Sequence, residues 1–384
     1  MGTIPHPCVD IHTTPAPQPS LPPWFAEIVL ITGHLRSHGF LDALRAQVRL
    51  VRGRFGRYEA MDFLALLFGY AISGERTLQA FFDRLHPFAE PFMALCERGE
   101  MLHRSTLSRF LAAVDSSCLE AVRALFVQAS YTWGWTQETI GGLWDRSSHR
   151  YLVFDIDGTR EAARQRKLPT STELPLAQRR LDALCGPGYR GHRGHRRGEV
   201  VRTRTTVLQM HTRQWLGSFG GRGNGDSRAE LRAALQAVAT YLTAWELPMA
   251  SGIVRVDGQY GDSSVIADIV ANGAQILVRK RGYRWLDHPL VQAAIAHEPV
   301  ATMTTRESQV TYEVFDLPQM LLEDGTTPVR LLLTRRAWKR GEPISVGKVV
   351  GDWVYEQFVT TLPPDGFLAT LPPDRFLATD VLDL

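Results

Sequence analysis

Cysteine is scarce in this sequence, and the few cysteines that occur lie far apart. They are Cys8, Cys96, Cys118 and Cys185, four residues in 384, and no two of them form a CxxC pair. Structural zinc sites and the disulfide frameworks of small secreted proteins both depend on closely spaced cysteines. The sequence therefore predicts reduced thiols, with neither a zinc site nor a disulfide framework.

Long apolar runs and a secretory signal are also lacking. The longest apolar run, Ala60 to Ile72, covers about a dozen residues and contains Asp62, whereas a membrane-spanning helix needs about 20 apolar residues. The N-terminus has no basic stretch followed by an apolar segment. Its proline-rich opening, residues 1–23, is predicted to be a mobile arm. These absences predict a cytoplasmic protein with no membrane partner.

Excess charge is small, since the net charge is only +3, but the positive charge is clustered. One cluster has a single acid, Glu199, among six arginines: Arg190, Arg193, Arg196, Arg197, Arg202 and Arg204. Smaller clusters lie at 279–284 and 335–340. Each cluster alone is typical of a solvated face, whereas three in one chain favour a polyanionic partner. The first cluster is predicted to contact DNA phosphates. His192 and His195 within it could ligate a metal, but a phosphate-contacting loop fits better because no cysteine or carboxylate cluster completes a site.

The N-terminal part has the pattern of helices. Apolar residues recur at three- and four-residue spacing, as in Phe63, Leu66, Leu67 and Tyr70. Residues 24–140 are therefore predicted to form a helical domain, and its predicted role is DNA binding. The stretch 105–114 is compatible with a recognition-type helix capped by Ser105 or Thr106, and equally with a packing helix in a small bundle.

From Tyr151 the pattern changes to strands. Three antiparallel strands are predicted at 151–157, 200–210 and 214–219, followed by a helix that begins with a Ser227-Arg-Ala-Glu230 capping box. A strand at 253–256, a helix at 262–271 and a strand at 275–279 come next. This order is typical of an RNase H-like mixed sheet, so residues 141–281 are predicted to be an α/β catalytic core. Residues 282–362 have a β-rich pattern and are predicted to be either a separate β domain or an insertion, and residues 363–384 a tail with a nine-residue repeat.

Two aspartates stand where predicted strands meet glycine. Asp157 ends the strand in Phe-Asp-Ile-Asp-Gly-Thr, and Asp257 ends the later strand in Val-Arg-Val-Asp-Gly-Gln-Tyr-Gly. Such aspartates are often only turn formers. An RNase H-like order, however, places the two strands side by side, and hard oxygen ligands on adjacent strands suit a pair of Mg²⁺ or Mn²⁺ ions acting on a phosphodiester. Asp157 and Asp257 are therefore the candidate catalytic and metal-binding residues. Asp155 is the rival for the first acid, and Asp262 is predicted to be a helix cap.

These residues resemble the DDE transposases of bacterial insertion sequences. In that family the first acid precedes a small residue and Thr, as in Asp157-Gly158-Thr159, and the second begins a segment similar to Asp257-Gly-Gln-Tyr-Gly261. The likeness extends over most of the chain from about residue 30 and includes the arginine-rich stretch 188–206. It implies an RNase H-like core with a β-rich insertion, Mg²⁺ or Mn²⁺ as cofactor, and double-stranded DNA, both transposon ends and target, as partner. A homodimer on DNA is also implied, because two ends must be paired.

The third acid of the family is not found in this chain. In the family it is a Glu in a Tyr-x-x-Arg-x-x-x-Glu helix, and no such motif occurs before the chain ends at Asp380-Val-Leu-Asp-Leu384. Glu313 and Glu356 are predicted to lie in strands of the insertion and are poor substitutes. We therefore expect a C-terminally truncated transposase that binds DNA and cuts it poorly. The alternatives are an RNase H-like nuclease without strand transfer and a DNA-binding transposase remnant.

Overall fold

The structure is a computed structural model that describes residues 20–48, 58–114, 116–132, 134–145, 148–164, 199–221, 227–305, 309–363 and 382. The chain divides into two compact units, Met1–Phe126 and Val127–Leu384. Within the described residues, no helix is both long and apolar enough to cross a bilayer. The predicted proline-rich arm, apart from residues 20–23, and nearly all of the repeat-containing tail lie outside the described residues.

The first unit is helical, as its apolar spacing predicts. Its helices are α1 (Trp24–Ser37), α2 (Phe40–Gln47), α3 (Ala60–Ser73), α4 (Leu78–Leu85), α5 (Ala89–Ala94) and α6 (Arg104–Ala113), and α7 (Ser116–Thr132) begins in this unit and ends in the next. Phe63 and Leu66 of α3 are buried, whereas Leu67 and Tyr70 are partly buried around the same core.

Helix α6 corresponds to the predicted stretch 105–114. It buries Leu107 and Phe110 and exposes Ser108 and Arg109. Its N-terminus is capped by His103, whose ring nitrogen accepts from the Ser105 backbone N–H at 3.2 Å. The prediction that Ser105 or Thr106 would be the cap is therefore wrong. The sequence did not indicate His103 because histidine is not one of the usual capping residues.

In the part of the second unit that the structure describes, eleven strands form one mixed sheet. They are β1 (Leu143–Trp144), β2 (Arg150–Arg164), β3 (Glu199–Gln209), β4 (Gln214–Gly221), β5 (Gly252–Val256), β6 (Gln275–Arg279), β7 (Ala301–Thr304), β8 (Thr311–Leu321), β9 (Pro328–Ala337), β10 (Lys348–Val350) and β11 (Trp353–Thr360). Among the described residues of this unit, the α-helices are α8 (Arg228–Ala244), α9 (Ser263–Ala271) and α10 (Pro289–Ala296). The fold class is thus mixed α/β.

The strand order is β4-β3-β2-β5-β6-β11-β9-β8-β7, with β1 paired to β2 and β10 to β11. Strands β2, β3 and β4 are antiparallel, while β2, β5 and β6 run parallel to one another. Strand β11 then pairs antiparallel with β6, joining Phe358 to Arg279. The strands of the predicted β-rich insertion therefore extend the same sheet.

The two faces of this sheet are different. One face carries the main core, in which Phe154, Val254 and Ile276 pack with residues of α8 and α9 such as Leu235 and Ile266. The other face carries a smaller apolar cluster that includes Val153, Ile253, Leu277 and Leu332. Side chains alternate between the two faces along a strand. Polar residues two or four positions after a member of the smaller cluster therefore lie on the same face as that cluster.

Two local predictions are corrected by the sheet. Asp157 does not end its strand, because β2 continues to Arg164 in a long antiparallel pairing with β3, where Asp157 is opposite Thr206. Ser227 makes no capping hydrogen bond at the start of α8. Glu230 is instead buried and accepts from the hydroxyls of Thr203 at 2.6 Å and Thr205 at 3.0 Å.

Candidate active site

Asp157 and Asp257 are brought together by the parallel pairing of β2 and β5. The last paired residues are Ile156 and Val256, and the two aspartates directly follow them on the two neighbouring segments of the chain. Both side chains are exposed, and both line one cleft of about 420 Å³. Within the described part of the chain, no lysine or arginine nitrogen forms an ion pair with either carboxylate. The two strands are neighbours, as the predicted strand order requires.

The segment after Asp257 fixes this juxtaposition. Asp257 accepts from the backbone N–H of Gln259 at 2.9 Å, which starts a short 3-10 turn over residues 258–260. The side-chain amide of Gln259 donates to the carbonyl of Gly158 at 3.0 Å. Gly261 lies so close to the end of β6 that an alanine methyl there would be 2.2 Å from the Arg279 carbonyl. The motif therefore ties the ends of β5 and β6 to the middle of β2.

Tyr260 carries the deepest contact of this motif. Its side chain is fully buried, and its hydroxyl lies 3.1 Å from that of Thr205. Because the single hydroxyl proton of Thr205 goes to Glu230, Tyr260 must be the donor to Thr205. Burial raises the pKa of the Tyr260 hydroxyl, which keeps that proton in place. A chain of hydrogen bonds from α8 through β3 thus supports the turn that follows Asp257. The sequence did not predict this role, since Ser-x-x-Glu resembles a helix cap.

The two carboxylates repel each other. Partial burial raises the pKa of Asp257 above its ordinary value, and the charge of Asp157 adds to this increase, although the Gln259 N–H and the guanidinium groups of Arg281 and Arg279 oppose it. A cation bound by both carboxylates would remove this repulsion.

Asp155, the rival for the first acid, is already paired. Arg255 binds it with two hydrogen bonds, Nε to Oδ1 at 2.6 Å and Nη2 to Oδ2 at 2.8 Å. Its register partner on β5 is Arg255 itself. This bidentate pair lies one row below the two aspartates and lines the same cleft. Asp157 is therefore the acid that is available to a ligand.

Glu313 and Glu356, the substitutes considered for the third acid, do not lie with Asp157 and Asp257. Glu313 lies on β8 opposite Arg335, on the sheet face of the main core, and accepts from Arg335 Nε at 2.5 Å. Glu356 lies on β11 on the cleft side of the sheet, but its Oε2 is 3.3 Å from Arg279 Nε. Across the described ranges, no third His, Cys, Asp or Glu completes a metal-binding group. Asp262 occupies the N-cap position of α9 but makes no capping hydrogen bond, and it pairs with Arg281 instead.

The predicted DNA-binding arginines are only partly covered by the structure. Arg190, Arg193, Arg196 and Arg197, together with His192 and His195, lie outside the described residues. Arg202 and Arg204 lie on β3 opposite Glu161 and Thr159 of β2, and Arg204 is exposed. Arg204 is thus two residues from Thr206, the partner of Asp157.

The two smaller basic clusters separate into different environments. In the cluster at 335–340, Arg335 binds Glu313 and lies 4.5 Å from the ring of Trp353, and Arg336 pairs with Glu342 at 2.8 Å. In the cluster at 279–284, Lys280 is buried and bonded to Glu323, whereas Arg279 lines the cleft. Arg335 and Arg336 are therefore paired within the fold, and Arg279 is the member of the cluster at 279–284 that lines the cleft with the aspartates.

Comparison with known proteins gives little. No protein-family model matches the chain, and no curated protein matches it at a significant level. Among solved structures, the cryo-EM structure of a piggyBac transposase synaptic complex with hairpin DNA is 11% identical over 90% of this chain, with a TM-score of 0.37. The chain spans 63% of the length of that transposase chain.

Proposed function

We propose that this chain belongs to a transposase-like enzyme that binds double-stranded DNA and acts on its phosphodiester bonds with a divalent cation. The observation that supports this is the pairing of two exposed carboxylates, Asp157 and Asp257, on adjacent parallel strands in an open cleft. Asp257 directly follows the carboxyl end of β5, where open α/β sheets usually hold their ligands.

The donor set fits Mg²⁺ or Mn²⁺. Both candidate ligands are carboxylates, which are hard oxygen donors, and no cysteine or histidine lines the cleft among the described residues. Asp157 and Asp257 would hold the ion, which would stabilise charge on a phosphoryl oxygen and activate a nucleophile. The chain itself contributes the position of the two carboxylates, through Gln259, Tyr260 and Glu230, and keeps Asp155 neutralised by Arg255.

The number of acids sets the expected activity. Phosphoryl transfer of this kind uses three carboxylates to hold two ions, and only two meet in the described part of the chain. With two ligands, a second ion would bind weakly and in the wrong geometry. Positioning and charge stabilisation provide most of the rate. We therefore expect this chain to bind DNA and to cut it slowly, which also keeps a DNA-binding remnant as the second candidate.

The test of cleavage uses the 384-residue chain and a supercoiled plasmid. Slow nicking that requires Mg²⁺ or Mn²⁺ and disappears in Asp157→Ala and Asp257→Ala is expected. Brisk nicking with the same dependence would mean that a third acid exists in the chain, and Glu356 and Glu313 would be mutated first. Nicking that survives both substitutions would refute the site. A strand-transfer assay with transposon-end DNA separates a transposase from a nuclease, and crosslinking on that DNA tests the expected homodimer.

The test of DNA binding uses the salt dependence of affinity. Each phosphate neutralised by an arginine releases counterions, so affinity for duplex DNA should fall steeply with salt. Replacing Arg196 and Arg197 together should flatten the log–log slope by roughly one unit per lost contact. An unchanged slope would mean that the cluster at 190–204 does not contact DNA.

A further inference from the structure

Arg279 continues the row of the two aspartates across the sheet. Asp157, Asp257 and Arg279 lie on or directly after β2, β5 and β6 at successive positions of the parallel register, and Phe358 of β11 is the next partner. All four residues line the cleft of about 420 Å³. The positively charged guanidinium of Arg279 therefore lies beside the carboxylate pair, on the side away from β2.

Neighbouring residues contact the guanidinium of Arg279 but leave most of its N–H donors available. It lies 5.6 Å from the centroid of the Phe358 ring, and its Nε is 3.3 Å from Glu356 Oε2. Its Nε is buried without a hydrogen-bond partner, and its Nη atoms donate to no described residue. The side chain is 40% exposed, compared with 14% for Glu356. A guanidinium has five N–H donors in a fixed fork, so most of them remain available to a ligand in the cleft.

The neighbouring basic residues are committed elsewhere. Arg255, the other guanidinium in the cleft, uses both ends of its fork on Asp155. Lys280 points to the opposite face, where its ammonium donates to Ser263 and Glu323 and lies 4.6 Å from the Trp285 ring. Arg281 pairs with Asp262. Alternation along the strand thus presents Arg279 to the cleft and withdraws Lys280 from it.

A phosphodiester that approaches two carboxylates meets net negative charge. A cation between the acids offsets part of this charge, and a guanidinium alongside can bind a phosphate oxygen with charge-assisted, bidentate hydrogen bonds. We propose that Arg279 binds a backbone phosphate of the DNA strand that lies over Asp157 and Asp257. This assignment rests on the proposed function and adds to it the residue that positions the substrate.

The test separates phosphate binding from the structural pairing with Glu356. Affinity for a fluorescein-labelled duplex is measured against salt by anisotropy, in Ca²⁺, for the full chain and for R279Q, E356Q and R279Q/E356Q. Arg284→Gln removes an exposed charge five residues away, outside the cleft, and is the matched control. Thermal unfolding of each variant checks that it is folded, and the double variant avoids leaving Glu356 unpaired.

We expect R279Q and R279Q/E356Q to lose roughly tenfold in affinity at low salt and to flatten the salt slope by about one unit. E356Q should retain most of the affinity, and R284Q should behave as the unmodified chain. Recovery of full affinity in R279Q/E356Q would mean that Arg279 only neutralises Glu356, and equal losses in R284Q and R279Q would mean a general charge effect. Either result overturns the assignment while the unmodified chain still binds DNA. Failure of the unmodified chain to bind the duplex would refute the proposed function and the assignment together.

Discussion

Replacing Gly158 by alanine tests whether the close approach of two chain segments holds Asp157 beside Asp257. An alanine methyl at position 158 would lie 2.0 Å from Gln259 Nε2 and 2.6 Å from Tyr260 Oη. The Gln259 amide can swing away, at the loss of its hydrogen bond to the Gly158 carbonyl, but the Tyr260 ring is fully buried and cannot. Either β2 or the turn that follows Asp257 must therefore move.

The size of the effect follows from these contacts. Overpacking of a core typically costs about 1–3 kcal/mol, and the lost hydrogen bond adds about 1 kcal/mol. The smaller conformational entropy of alanine in the unfolded chain returns about 0.4–1 kcal/mol. A net loss of roughly 2–3 kcal/mol is expected, which shifts the urea midpoint by roughly 1 M for a typical dependence on denaturant.

The assay compares Gly158→Ala with Gly220→Ala, a strand glycine of the same sheet whose added methyl would meet no atom within 4 Å. Urea unfolding is followed by tryptophan fluorescence with and without Mg²⁺. Gly158→Ala should be less stable than the unmodified chain and should gain less from Mg²⁺, whereas Gly220→Ala should be at least as stable. Equal midpoints for the two variants would show that Gly158 is not a point of close packing and that the proposed coupling between the aspartates is wrong.

Three further predictions concern charge. Asp257→Asn should raise the melting temperature of the metal-free chain at neutral pH. The pKa of Asp257 is raised in the folded chain, so its ionisation beside Asp157 lowers stability as pH rises. The gain should vanish in acid, and thermal scans at both pH values check this. Arg330→Met should cost about 3–5 kcal/mol in urea unfolding, because it leaves Asp316 without its buried bidentate partner, and adding Asp316→Leu should recover part of the loss. Burial raises the pKa of the Cys96 thiol. Alkylation of Cys96, monitored by mass spectrometry, should therefore be slow in the native chain and fast in urea.

Much of the second unit could be predicted because its signals are local. The alternation before Asp157, the apolar strand before Asp257 and the stripe of α8 each identify an element from a few neighbouring residues, and the predicted strand at 275–279 coincides with β6. The order of these elements was enough to bring the two aspartates together on adjacent strands.

The remaining features depend on partners that are distant in sequence. Asp157 was expected to end a strand because glycine follows it, yet pairing with β3 carries β2 past that glycine. Glu230 has the spacing of a capping box, and only the hydroxyls of β3 give it another role. The different environments of Arg279 and Lys280 could not be read from a run of basic residues, because the distinction depends on which face of β6 each one occupies.

The pairing of β6 with β11 also has a consequence during synthesis. The outer edge of β6 is complete only when β11 has been made as far as Thr360, 81 residues after Arg279. At about 5–20 residues per second, a ribosome needs roughly 4–16 s to add that stretch. Throughout this interval the growing chain presents an unpaired, apolar strand edge, which is a template for association with other chains. Slower translation between these two strands should therefore lower the soluble yield, independently of how stable the finished sheet is.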